Sequence, residues 1–150
     1  MKKIVVLVVV VFLVLAFGTS LYGCDTGGEV VINENTFVMR INDIRMNMDH
    51  YLGRTIRYEG VFQAYGQDEE TGEIYYRVVR QGFDAAGCCV VPVGFSVVWE
   101  DSNEEYPDDD EWVEVVGVLG TVTRGGTVFL VIELESLIVL EERGNEIVRR

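Results

Sequence analysis

One pair of residues in this chain has the types and the spacing for chemistry: the adjacent cysteines Cys88 and Cys89. Adjacent cysteines can close a strained disulfide ring, which is easily reduced, so the pair is a candidate redox element. Their thiolates can also bind a soft metal ion such as zinc or copper(I). The pair supplies two ligands at most, and His50, the single histidine, is the candidate third ligand. A structural interpretation also stands, in which one cysteine is a small buried hydrophobic residue and the other is incidental.

Two arginines, Arg77 and Arg80, are the candidate binding residues, because both lie in a segment whose alternation predicts a β-strand. A guanidinium in such a position can recognise a carboxylate of a ligand. It can also form an ion pair with the acidic surface of the protein itself. In so acidic a protein we expect the ion pair.

The sequence shows no convincing set of catalytic residues. The cysteines lack the Cys-x-x-Cys spacing of thiol oxidoreductases. Lysine occurs only at Lys2 and Lys3, and the acidic residues have no spacing that nominates an acid–base pair. Gly125-Gly126 lies between two predicted strands and opens no helix, so it does not form a phosphate-binding loop. We therefore expect no enzymatic activity and no cofactor beyond a metal ion at the cysteine pair.

An acidic segment, residues 100–111, is a candidate site for a hard cation such as calcium. Aligned with an EF-hand loop from Asp101, it has Tyr106 at the sixth position, where glycine is required. The twelfth position is Trp112 instead of the bidentate glutamate. A solvated, self-repelling loop is the expected structure.

The N-terminus has the features of an export signal. Lys2 and Lys3 precede an unbroken apolar run, Ile4–Phe17, which is shorter than the roughly 20 residues of a membrane-spanning helix. The following segment, Leu21 to Cys24, resembles the lipobox of bacterial lipoproteins, except that Tyr22 stands where a small residue is usual. That resemblance implies lipid attachment at Cys24 and a location on the extracytoplasmic face of the bacterial cell membrane. An uncleaved helical anchor is the alternative, and it would tether the domain at the same place.

The charge of the chain narrows the class of its partners. The formal net charge is −13, and removal of residues 1–23, which carry two lysines and no acidic residue, leaves −15. The electrostatic field of so negative a protein repels phosphate backbones, so no nucleic-acid partner is expected. Cationic partners and metal ions are favoured.

The remaining sequence predicts a mainly β domain. Phe37, Ile41, Ile44 and Met48 share one face of a helix over 37–51, with Thr36 as its N-cap and Gly53 after its end. Five strands follow, predicted over residues 55–64, 74–81, 93–99, 112–123 and 128–140. Their grouping fits a small five-stranded OB-like barrel preceded by a strand and an α-helix, with an open antiparallel sheet packed on one helix as the alternative. The predicted organisation is a signal peptide over 1–23, an anchored spacer over 24–29, the barrel domain over 30–141 and a fraying charged tail over 142–150.

The sequence also carries a resemblance to a known family. The motifs that carry it, in order, are Asp49 to Ile56, Glu59-Gly60, Tyr76 to Arg80, Cys88-Cys89, Pro92 to Phe95, Glu111 to Val113 and Val116-Gly117. They resemble the C-terminal extracytoplasmic domain of an uncharacterised family of bacterial permease subunits (YcgQ-like). The resemblance implies an OB-like fold, an envelope location and a membrane-protein partner in a transport system.

The chain departs from that family at three points. The membrane-spanning N-terminal region of the family is replaced by the lipoprotein signal, and Arg54 stands where lysine is usual. Val90-Val91 stand where the family has small and acidic residues. A carboxylate partner of the cysteine pair would be lost with them. We expect a lipid-anchored binding or accessory module that serves a membrane transport system, and the alternative is a thiol-redox or soft-metal-handling protein.

Overall fold

The computed structural model of the protein describes residues 28–69, 71–84, 87–101 and 104–148. The predicted signal peptide and the predicted lipidation site Cys24 lie outside these residues. The described elements are β1 (Val30–Val31), α1 (Phe37–Met46), β2 (Thr55–Gln67), β3 (Ile74–Phe83), β4 (Val90–Val98), β5 (Trp112–Arg124) and β6 (Thr127–Val139), with 3-10 turns at Glu34–Thr36 and Met48–His50. Neither α1 nor a 3-10 turn among them is long and apolar enough to span a membrane.

Strands β2 to β6 form a closed barrel of five strands, as the sequence predicts. Their order is β2-β3-β4-β6-β5, and β5 pairs back with β2 to close the barrel. Neighbouring strands are antiparallel except β4 and β6, which run parallel. Strand β1 pairs in parallel with the start of β2. Closure excludes the open-sheet alternative and leaves the barrel strands without a long unpaired edge.

The core follows from alternation along the strands. Ile56, Tyr58 and Phe62 of β2 are buried, as their spacing of two predicts. The Tyr58 ring packs edge-on against Phe37 of α1 at a centroid distance of 5.6 Å, so the helix closes over the interior. Ala64 continues the same spacing but is exposed, and the register of β2 shifts just after it, between Ala64 and Gly66.

Gly60 lies where β2 passes from one partner strand to another. Gly60 pairs with Val113 of β5, and the next residue, Val61, pairs with both β5 and β3. A Cβ atom at Gly60 would lie 2.8 Å from the carbonyl oxygen of Val79. Glycine is therefore needed for close approach where the strand coils, while the register shift lies further along the strand.

The helix is shorter than predicted. α1 ends at Met46 because Asn47 leaves the helical region of backbone space (φ −122°, ψ 37°), and a 3-10 turn follows. Phe37, Ile41 and Ile44 are fully buried, as expected, but Met48 is 41% exposed, so its predicted place in the apolar stripe is wrong. Thr36 does occupy the N-cap position, although its side chain makes no capping hydrogen bond. Gly53, with φ 79°, follows the 3-10 turn and precedes β2.

The C-terminal segment packs onto the barrel instead of fraying. Val148 is only 2% exposed and belongs to the core. Its N–H donates to the Gln81 carbonyl at 2.8 Å, and the Gln81 N–H donates to the Glu146 carbonyl at 2.8 Å. The expectation of a frayed tail is therefore wrong up to Val148, because one apolar residue and two backbone hydrogen bonds hold the charged segment against β3.

Candidate functional site

The cysteine pair lies in the connection between β3 and β4. The chain turns back on itself there, because the Asp84 N–H donates to the Cys89 carbonyl at 2.9 Å and the Gly87 N–H donates to the Asp84 carbonyl at 3.0 Å. Gly87 has φ 72°, a left-handed conformation that glycine adopts without strain. Both cysteines are exposed free thiols. The interpretation of one as a buried hydrophobic residue is therefore wrong.

The turn brings a carboxylate to the two thiols. The sulfur atoms of Cys88 and Cys89 are 3.3 Å apart, and Cys88 Sγ lies 3.5 Å from Asp84 Oδ2. The three ligand atoms all lie within 4.8 Å of one another. We name this group of Asp84, Cys88 and Cys89 the thiol–carboxylate cluster.

Sequence reasoning missed Asp84. The family resemblance places a carboxylate after the pair, at the positions of Val90 and Val91, whereas the structure supplies one four residues before Cys88. The signal that could have found it is an aspartate at the end of a predicted strand, followed by a glycine that lets the chain return.

Hydrogen bonds set the protonation of the cluster. Burial raises the pKa of Asp84, but donation from the backbone N–H groups of Cys89 and Cys88, together with the Cys88 thiol, outweighs it and holds this pKa below its usual value. The same contacts act in the opposite sense on the thiol: hydrogen bonds to Cys89 and to Asp84 raise the pKa of Cys88. Asp84 is therefore ionised at neutral pH and Cys88 is protonated, so a metal ion bound there would displace the thiol proton.

His50 does not belong to the cluster. It lies in the 3-10 turn after α1 and is exposed. Among the residues that the structure describes, only Asp84, Cys88 and Cys89 form a group of three or more potential ligands within 4.8 Å. The structure therefore brings the Asp84 carboxylate to the cysteine pair and leaves the His50 imidazole outside it.

Arg80 has a structural role. Its side chain is almost fully buried, and its guanidinium forms ion pairs with Glu34 and Glu59, each at 3.7 Å. Its Nε donates to the Glu59 carbonyl at 2.7 Å, and the charge lies 4.8 Å from the Trp112 ring. The expected ion pair is observed, and both acidic partners and the backbone contacts hold the buried guanidinium in place.

Arg77 is more accessible. It donates to Gln63 Oε1 at 3.2 Å, and its guanidinium lies 5.3 Å from the Tyr65 ring. Its Nε is buried without a hydrogen-bond partner in the described parts of the chain. Arg77 makes no ion pair with another described residue, so the ion pair expected for it is not observed.

Comparison with known proteins decides the family. The sequence profile of the DUF1980 C-terminal domain matches residues 21–141. The chain belongs to this family. The matched range includes the whole barrel and the thiol–carboxylate cluster, and the resemblance seen in the sequence is confirmed at the level of the family.

The chain is also similar to a solved structure, the dimeric N-terminal domain of PriB protein from Thermoanaerobacter tencongensis. The two are 17% identical, the match covers 59% of this chain and 97% of the other, and the TM-score is 0.34. No curated protein gives a significant match.

Proposed function

We propose that this domain is an accessory module that binds a soft metal ion, zinc or copper(I), at the thiol–carboxylate cluster on the outer face of a bacterial membrane. The observation that carries the proposal is the convergence of the half-buried Asp84 with the exposed Cys88 and Cys89. Thiolates favour soft and borderline metals over calcium or magnesium.

The spacing of the sulfur atoms supports a metal over a disulfide. Two sulfurs bound to one tetrahedral zinc lie about 3.8 Å apart, given Zn–S distances of about 2.3 Å. The observed 3.3 Å needs an opening of about 0.5 Å to reach that value. A disulfide needs the same atoms to approach to about 2.05 Å, which is the larger change and strains the ring.

The number of ligands suggests transfer instead of structural storage. Structural zinc sites are closed by four protein ligands, whereas three leave one position open. The cluster offers three side chains and lies on an exposed loop outside the apolar core. A partner protein can approach such a metal and supply the missing ligand.

The proposed location comes from the sequence of residues 21–24. Lipid on Cys24 would hold the domain at the membrane, where the cargo of a transport system is released or captured. We therefore propose a membrane transporter as the partner, with the domain presenting the metal ion to it.

Metal binding by the full chain tests the proposal. In a Cys24→Ser background, Cys88 and Cys89 are the only thiols, so a chromophoric chelator competition should report about one zinc or copper(I) per reduced chain. Cys88→Ser and Cys89→Ser should each abolish this binding, and Asp84→Asn should weaken it about tenfold or more. Asp49→Asn, an exposed aspartate in the turn after α1, is the matched control and should change nothing.

Two results would overturn the metal function. The first is a reduced chain that retains neither metal above the background of the double serine variant. The second is an intact mass that is lower by two hydrogens before reduction and no metal uptake after it, which would favour the thiol-redox alternative.

A further inference from the structure

A cavity of about 460 Å³ lies at the other end of the β3–β4 hairpin from the cysteines. Its lining comes from the start of β3, the end of β4 and the loop that leads to β5. β3 has 10 residues, so at about 3.3 Å per residue its two ends are at most about 33 Å apart, and the cavity shares no residue with the thiol–carboxylate cluster. The cavity is therefore a separate site, and its size lies within the range of small-molecule pockets.

One wall of the cavity is aromatic. Tyr76, Trp99 and Tyr106 line it. The Tyr76 and Tyr106 rings are 4.1 Å apart, and Phe62 stacks behind both at 5.1 and 5.8 Å. The Trp99 backbone N–H donates to the Tyr106 hydroxyl at 3.2 Å, which fixes the loop onto the end of β4. The wall is thus built into the fold and is held in place before a ligand arrives.

The rim of the cavity is acidic. Its charged lining residues are all carboxylates: Glu73, Glu100, Asp101 and Glu104. Within the part of the chain that the structure describes, none of the three glutamates forms an ion pair with an arginine. The local field therefore attracts a cation and repels an anion.

The rim carboxylates do not form a multidentate metal site. Among the described residues, the thiol–carboxylate cluster is the only group of three or more potential ligands within 4.8 Å of one another, so no three rim carboxylates meet at one point. A dispersed negative rim around aromatic side chains instead suits a cation of several atoms, whose charge is spread over its surface. Aromatic rings add attraction for such cations, because the face of each ring carries partial negative charge.

We propose that this cavity binds a small organic ammonium compound, with the quaternary or alkylated nitrogen against the aromatic wall and the glutamates around it. The site is independent of the metal function, since the two lie on different loops. The domain would then bind two ligands, a metal ion and an organic ammonium ion, and both are cations.

Calorimetric titration of the full chain tests the site, in a maltoside detergent that carries no ammonium group. Choline is the probe, and 3,3-dimethylbutan-1-ol, which has the same shape without the charge, is its control. Choline should bind at least about tenfold more tightly than the neutral compound. Glycine betaine should bind more weakly than choline, because its carboxylate meets the acidic rim.

Variants separate the site from the general field of the protein. Glu73→Gln/Glu104→Gln should lower choline affinity about tenfold, and both side chains are exposed, so folding should be unaffected. Glu135→Gln/Glu142→Gln, with the same change in net charge at exposed positions elsewhere, should leave affinity within about twofold. Tyr76→Leu tests the wall and should also lower affinity about tenfold.

Three results would overturn the proposal: equal binding of choline and the neutral compound, equal losses in the two double variants, or no choline binding up to about 10 mM. If Tyr76→Leu fails to fold, the proposal is still tested by the two glutamate double variants and by the comparison of choline with the neutral compound. Loss of zinc binding in Cys88→Ser would leave choline binding unchanged, so the two functions fail separately.

Discussion

At the scale of the residue, Arg80 shows how this acidic chain uses a cation. The residue is 3% exposed, and burial lowers its pKa while Glu59 and Glu34 oppose that effect. Its guanidinium donates to backbone carbonyls of Glu59 and Asn145, and it packs near Trp112. One side chain thereby joins β2, β3, β5 and the C-terminal segment.

Replacement of Arg80 should therefore destabilise the fold. We expect Arg80→Met to lower the free energy of unfolding by about 2–4 kcal/mol, since carbonyl groups lose their donor and two carboxylates lose their counter-charge. Arg40→Met is the matched control: Arg40 is exposed, and its one ion pair within the described residues is with Asp43 on its own helix, so the loss should stay below about 0.5 kcal/mol. Urea unfolding monitored by circular dichroism measures both. If both variants lost the same free energy of unfolding, Arg80 would contribute no more to stability than an exposed arginine does.

At the scale of the element, β5 is shaped by a glycine that permits close contact. The register between β5 and β6 shifts between Val116 and Gly117. A Cβ atom at Gly117 would lie 2.3 Å from the carbonyl oxygen of Glu133, closer than real contacts allow. The irregular pairing lets β5 bend, and it therefore continues around the barrel to meet β2.

A methyl group at that point should disturb barrel closure. We expect Gly117→Ala to lower the free energy of unfolding by about 2 kcal/mol or more, because the clash is with backbone and not with a flexible side chain. Gly66→Ala is the control, since among the described residues its Cβ would contact the Tyr75 ring alone, at an ordinary 3.5 Å. Thermal and urea unfolding compare the two. If Gly117→Ala were as stable as Gly66→Ala, β5 and β6 would be able to move apart at this point without loss of stability.

At the scale of the whole molecule, the negative net charge of the chain opposes its proposed attachment to a membrane. Without residues 1–23 the chain carries a net charge of −15, which an anionic membrane surface repels. Acyl chains stabilise attachment by about 0.8 kcal/mol for each buried CH₂ group, so two chains outweigh that repulsion. The lipid attachment proposed at Cys24 would hold the acidic domain at the membrane.

Removal of that thiol tests the attachment. In bacterial cells fed a labelled fatty acid, the natural chain should carry the label and sediment with membranes, while Cys24→Ala should lose the label. Cys88→Ala is the control and should retain it, because that thiol lies in the domain. A Cys24→Ala chain that still carries the label would exclude this site. An unlabelled natural chain of full mass in the membrane would instead indicate the uncleaved helix that Tyr22 favours.

Much of the β-structure is determined locally and could be predicted from the sequence. Alternation of apolar residues placed the five strands, and Gly125-Gly126 marked the final hairpin, where both residues have positive φ. The buried stripe of Phe37, Ile41 and Ile44 followed from helical spacing. These features depend on residues a few positions apart, and the sequence carries them directly.

Contacts between distant segments were decided only by the tertiary structure. Asp84 lies beside the cysteines because a turn reverses the chain. Arg80 is buried because the C-terminal segment packs over it. Val148 lies in the core because its backbone is hydrogen-bonded to Gln81 of β3. The cavity unites the ends of β3 and β4 with a loop. Each of these depends on which strands become neighbours and on how the loops return, and no local pattern of residue types specifies that. The sequence determined that Cys88 and Cys89 are adjacent thiols, and the fold gave them a carboxylate and exposure to solvent.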